Sequence, residues 1–247
     1  MWHKPQLMTA IADLLFVAGA AALLAALALG AMRLPLFPLK EVDFVQPLKE
    51  VQRGEIERTL SGLLRGNFFS VNLDLLRQSL EKLPWVRKVE VRRRWPGKLE
   101  IRLEEQQPVA RWGTSGTELV NSYGEVFEAV MPQTQMDALP ELAGPTGSSQ
   151  DVLRRFDEFT RALGPVGHQP RQLVLSPRLA WQVVLDNGMV LELGREQPKS
   201  PVATRLSRFV AVYSSTLAER KPGAVDLRYP NGFALRLAAA GVDGKGK

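Results

Sequence analysis

An α+β protein with one N-terminal membrane helix is predicted by three features of the 247-residue sequence. Residues 14–32 form an uncharged apolar run, and residues 39–105 read as strand, helix, helix, strand, strand. Residues 108–237 then show short strands and two amphipathic helices, closing on an exposed edge strand. Length alone favours two folded units beside the membrane segment.

The apolar run, LLFVAGAAALLAALALGAM, has about the length a helix needs to cross ~30 Å of hydrocarbon. A secretory signal peptide is the competing reading, since Ala26-Leu27-Ala28 has the small-x-small form. The run is longer than a signal-peptide core, however, and only Lys4 charges the segment before it. A retained anchor is therefore expected, with residues 1–13 as a short cytoplasmic tail and the bulk exported. The flanking charges do not assign orientation, because Lys4 on one side faces Arg33 and Lys40 on the other. Ala18, Ala22, Ala26 and Gly30 form a small-residue stripe that either serves helix pairing or reflects an alanine-rich segment.

Pro35 and Pro38 end the helix, and a strand follows over 39–45 with Val42 and Phe44 on one face. Ile56, Leu60, Leu63 and Leu64 mark one helix; Asn72 caps a second, which carries Leu73, Leu76, Leu80 and Leu83 to Pro84. The period then changes to 2. Trp85, Val89, Val91 and Trp95 are expected on one side of a strand, and Leu99, Ile101 and Leu103 on one side of its hairpin partner. The Arg92-Arg93-Arg94 run reads as the solvated, charge-paired face of that hairpin, because no aromatic interleaving or nucleic-acid motif accompanies it.

Beyond Pro108, strand pieces are expected at 109–112, 118–121 and 125–127, then a Pro/Gly connection over 139–147. Ser148 with Asp151 makes a capping-box pattern for a helix carrying Val152, Phe156, Phe159 and Leu163. Strands follow at 172–175, 179–185 and 189–193, the last two joined by the hairpin signal Asp186-Asn187-Gly188. Ser200 and Pro201 open a helix whose buried side is Val202, Leu206, Phe209, Val210, Tyr213 and Leu217. Strands at 225–229 and 233–237 flank Pro230-Asn231-Gly232, and residues 238–247 are expected to be disordered.

Composition excludes much chemistry. Without cysteine there are no disulfides, thiolate metal sites or cysteine nucleophiles, while the redox compartment stays open. His3 and His168 are the only histidines, which rules out most zinc and Ser-His-Asp sites. No P-loop, dinucleotide fingerprint, HExxH or GxSxG occurs. Glu104, Glu105, Glu125 and Asp186 sit at strand ends or turns, where exposed acids are common, and His168 reads as a solvated loop residue. A non-enzyme without cofactor, metal, nucleic acid or small-molecule substrate is expected. The +6 charge suits an anionic partner.

Several stretches resemble the FtsQ/DivIB family of bacterial cell-division proteins: Asn67-Phe68-Phe69, Leu83-Pro84-Trp85-Val86, Arg92 to Pro96, and Pro108-Val109-Ala110-Arg111-Trp112. Leu139 to Pro145, Leu185 to Gly188, Leu191 to Arg195, Arg205 to Tyr213 and Val225 to Tyr229 agree, so the resemblance spans nearly the whole chain. It implies a POTRA domain over 39–105, a β domain over 108–237, and a single-pass type II protein of the inner membrane at the septum, its bulk periplasmic. It also implies a divisome assembly factor that binds FtsB and FtsL and communicates with FtsW, FtsI and FtsK. The implied partner surface is Arg228, Tyr229, Asn231, Gly232 and Phe233, with Arg178 and Arg220 as weaker matches. Phe233 departs from the small residue expected after the turn glycine, and the cytoplasmic tail is short. A POTRA-containing chaperone for outer-membrane assembly is the alternative, although only one such unit is legible; a cell-wall hydrolase would need an acidic cleft that the sequence does not show.

The closing strand is expected at a sheet edge, where a partner segment adds as a further strand or where Arg236 blunts the edge. The family resemblance favours binding, by an acidic segment with Tyr229 as anchor.

Overall fold

The computed structural model describes residues 5–33, 37–64, 66–113, 116–213, 222–229 and 232–237. Helix α1 (Pro5–Arg33) contains the expected apolar run and begins earlier. Leu14, Leu15, Phe16 and Val17 are all exposed; at 100° per residue, four consecutive side chains look out in nearly every direction. No described part of the chain covers this helix, and its residues 8–27 are long and apolar enough to cross a membrane.

The chain divides into two compact units, residues 1–106 and 107–247. Beyond α1, the first runs β1 (Glu41–Phe44), α2 (Arg53–Ser61), α3 (Leu73–Leu80), β2 (Val86–Arg94) and β3 (Lys98–Glu105). The sheet order is β1-β3-β2, with β1 parallel and β2 antiparallel to the central β3. Leu99, Ile101 and Leu103 alternate into the core, where Ile56, Leu60, Leu76 and Leu80 meet them. Asn72 caps α3 as expected, its side chain accepting from the Leu75 amide at 3.0 Å.

Strand β2 departs from strict alternation. Its pairing with β3 slips between Val86 and Lys88, so Val86 and Val89, three residues apart, are both buried. Trp95, expected on the same side of the strand as Val89, lies just past the end of β2 and is exposed. The arginine run is divided between two tasks. Arg94 pairs with Glu100 at 3.2 Å and Arg92 with Glu90 at 3.3 Å, whereas Arg93 donates to the carbonyls of Phe68, Phe69 and Val71.

The second unit contains β4 (Pro108–Trp112), β5 (Glu118–Asn121), β6 (Val126–Glu128), α4 (Gln133–Ala138), β7 (Glu141–Ala143) and α5 (Ser149–Leu163). It continues with β8 (Pro170–Leu175), β9 (Ala180–Leu185), β10 (Val190–Arg195), α6 (Val202–Val212), β11 (Pro222–Asp226) and β12 (Ala234–Leu237). The sheet order is β12-β11-β10-β9-β8-β7-β4-β5-β6. Helices α5 and α6 supply Val152, Phe159, Leu163, Val202, Leu206 and Phe209 to its core.

Two elements were not expected: α4, and β7 within the supposed Pro/Gly connection. β7 runs parallel to both neighbours, pairing Trp112 with Leu142 and Leu142 with Leu173. Only Leu142 of its three residues is buried, too little for any period to show. Both helix caps also differ from expectation. The Ser148 hydroxyl donates to the Pro145 carbonyl instead of capping α5, and Pro201 rather than Ser200 holds the N-cap of α6.

Candidate partner-binding surface

The surface is built where the sheet ends. Val225 and Leu227 are buried and anchor β11, and the Leu227 amide donates to the Glu192 carbonyl at 2.9 Å. The ladder stops at Asp226, earlier than the expected Tyr229, so Arg228 and Tyr229 leave the sheet and are exposed. Arg208 of α6 donates to the Tyr229 carbonyl at 3.3 Å, which positions a side chain still 53% exposed.

Asp226 organises the turn. Its carboxylate accepts the Arg228 amide at 3.1 Å and, bidentately, Nε and Nη2 along one edge of the Arg228 guanidinium at 2.8 and 2.6 Å. These bonds hold the Asp226 carboxyl below its ordinary range and keep Arg228 firmly protonated. Arg228 is therefore a locally compensated cation.

Arg178 lies in the turn between β8 and β9, fifty residues before Arg228, and the fold brings the two to one cleft of about 580 Å³. Ser176, Gly194, Arg195, Glu196 and Arg205 complete much of its wall. Arg178 is exposed and has no ion pair among the described residues. Arg205 forms the buried side. It donates to the carbonyls of Leu193 and Arg195, on either side of Gly194, and burial pushes its guanidinium below the usual arginine range. Gly194 sits at φ +72°, where a Cβ would lie 2.9 Å from Arg228 Cγ.

Sequence reasoning missed Arg195, Glu196 and Arg205. For Arg205 there was a signal: a charged residue between Val202 and Phe209 on the apolar face of an amphipathic helix. Phe233 is half-buried against the core of the second unit, Gly232 has open space beside it, and Arg220 and Asn231 lie outside the described residues. After Gly232 and Phe233 comes β12, a four-residue strand at the end of the sheet order, with Arg236 exposed.

The acids considered for chemistry have structural partners. Glu104 pairs with Arg87 at 3.0 Å, and the Glu105 carboxylate accepts the amides of Lys49, Glu50 and Val51. Glu125 accepts from Asn121 at 2.7 Å. His168 is not a solvated loop residue: its ring joins Asp186 at 2.8 Å and the buried Tyr213 hydroxyl at 2.6 Å. Burial raises the Tyr213 hydroxyl above its ordinary range. Among the described residues, no three metal-ligating side chains form a group.

Residues 37–106 match the family "POTRA domain, FtsQ-type", and residues 110–228 match "Cell division protein FtsQ/DivIB, C-terminal". The chain is 38% identical over 242 residues to the cell division protein FtsQ of Burkholderia pseudomallei, covering 96% of this chain and 95% of that one. It is 38% identical over 258 residues to the FtsQ of Bordetella pertussis, covering 96% and 93%. The FtsQ of Shewanella oneidensis is 42% identical over 182 residues, covering 73% and 67%.

Proposed function

The chain belongs to the FtsQ/DivIB family of cell-division proteins, and from that premise we propose that it is a non-enzymatic assembly factor of the divisome that captures FtsB by strand addition. The observation that carries this reading is the terminal place of β12, which leaves one row of backbone N–H and C=O groups without a neighbouring strand among the described residues. FtsB adds there with an acidic segment, and Tyr229 is the apolar anchor beside it. FtsL arrives with FtsB, and the assembled complex communicates with FtsW, FtsI and FtsK. In this reading α1 crosses the inner membrane once, at the septum, and residues 39–105 and 108–237 are two periplasmic domains.

Arg178 and Arg228, two of the four arginines lining the cleft, contribute unequally. Asp226 already occupies the fork of Arg228, so an incoming carboxylate must share that cation, whereas Arg178 is open to a new partner. Steering by these charges weakens association as salt rises.

The test is the affinity of the full chain, in detergent, for the periplasmic part of FtsB. Tyr229→Ala is expected to cost about 2 kcal/mol of binding, and Leu235→Pro to abolish strand pairing. Folded variants that both bind like the parent would refute this interface. Arg178→Ala should flatten the salt dependence more than Arg228→Ala.

A further inference from the structure

The cell-division reading leaves unused an aromatic cluster in the first unit. Phe37 stacks edge-on against Phe69 at 5.2 Å and lies 6.0 Å from Trp95; Phe68 lies 5.1 Å from Phe69 and 5.9 Å from Trp95. Phe68 is the floor, 4% exposed, while Trp95 and Phe69 stand 67% and 38% exposed. Phe37, Phe68 and Trp95 border, together with Lys40 and Gly97, a shallow hollow of about 220 Å³.

The rings are held in place rather than left loose. Arg93 grips the carbonyls of Phe68, Phe69 and Val71 at 2.8, 3.2 and 2.7 Å, and the Asn67 side chain accepts the amides of Phe69 and Ser70. The Phe68 amide donates to the Phe37 carbonyl, and the Lys40 amide to the Gly97 carbonyl, both at 2.8 Å. A fixed scaffold thus keeps large apolar rings in the open, where they cost free energy unless something covers them.

Chain length says what covers them. α1 ends at Arg33, directly after the uncharged run, and four residues later the chain reaches Phe37. Four residues span at most ~14 Å, so Phe37 stays close to the headgroup layer, which is roughly 5–8 Å deep on each side. Trp95 and Phe69 are in ring contact with Phe37, their centroids 6.0 and 5.2 Å from its own, so the chain tethers them near the same layer. Tryptophan concentrates at this boundary, and the exposed Lys40 and the largely exposed Arg94 place cations around the rings, although Arg94 also pairs with Glu100.

We propose that Trp95, Phe69 and Phe37 form a wedge that seats the first unit in the headgroup region of the bilayer that holds α1, with anionic lipid as its ligand. The proposal rests on α1 being inserted in a membrane. Because the chain has no cysteine, one introduced thiol is a unique label site. The full chain carrying Arg94→Cys, beside Trp95, or Lys49→Cys is labelled with a fluorophore and placed in nanodiscs of phosphatidylethanolamine and phosphatidylglycerol containing headgroup-nitroxide lipid. The Lys49 amide bonds Glu105, at the far end of β3, seven residues or ~23 Å from Lys98. Quenching several-fold stronger at position 94 than at 49 is expected, and Trp95→Ser with Phe69→Ser should bring position 94 down to the level of 49. Discs that take up no protein overturn the insertion of α1 and this seating with it. Discs that take up the protein but quench both positions alike overturn the seating alone, as does quenching at 94 that survives loss of both rings.

Discussion

In each unit an arginine clamps more than one backbone carbonyl, Arg93 in the first and Arg205 in the second, at two different depths. Arg93 in the first unit grips three carbonyls of a surface loop, and two of its three bonds are only partly buried. Arg205 in the second is itself buried and grips two carbonyls, one bond buried and the other partly buried, across the irregular end of β10, where pairing with β9 slips between Glu192 and Gly194. Water can replace a guanidinium at the surface and cannot at the core. The shallow clamp therefore orders a surface feature, and the deep one is part of the fold.

Arg205→Ala is accordingly the largest expected effect. It leaves the Leu193 carbonyl, in a buried bond, and the Arg195 carbonyl, in a partly buried one, without their donor; at about 1–3 kcal/mol for the buried group and less for the other, a loss of about 2–3 kcal/mol is expected. Hydrogen exchange in β9 and β10 reports it. Arg205→Lys should recover little, because an ammonium lacks the planar fork that reaches both oxygens. Full stability in both variants would erase the contrast in depth.

Arg93→Ala should cost less, about 1–2 kcal/mol, and faster amide exchange should stay within residues 66–71. A loss as large as that at Arg205 would mean that the surface loop belongs to the core of its unit.

The smallest effect belongs to the exposed arginine. The Asp226 carboxyl is held low by Arg228, so the pair contributes fully above the ordinary aspartate pKa of about 3.8 and is lost as pH falls through the lower folded value. Acid titration of the β11 amides should therefore show a loosening that Asp226→Asn abolishes. The effect should be small, since the Arg228 side chain is largely exposed.

The parts legible in sequence are those where one local rule decides. Leu99, Ile101 and Leu103 alternate because β3 is regular, and Val152, Phe159 and Leu163 recur at helical spacing because α5 lies along the sheet core. Asn72 reads as a cap and acts as one. Where long-range pairing decides, the reading fails: β7 exists because β4 and β8 flank it, and Val86 turns inward because β2 is bulged. Arg178 and Arg228 resembled family positions, but that they share a cleft depends on the folding of β8 to β11. Arg195 and Glu196 carry no local mark at all.

The parallel pairing of β1 with β3 has a mechanical consequence. The chain enters β1 from the side of α1 and leaves β3 toward β4, so a pull between α1 and the second unit acts on the start of one strand and the end of the other. Parallel strands loaded in this way are drawn past each other along their length. The bonds of the Glu41–Phe44 register with Lys98–Ile101, and those from Lys40 to Gly97 and Val45 to Ile101 that flank it, are strained together rather than opened one at a time. The pairing of β1 with β3 is thus a joint that meets such a pull in shear.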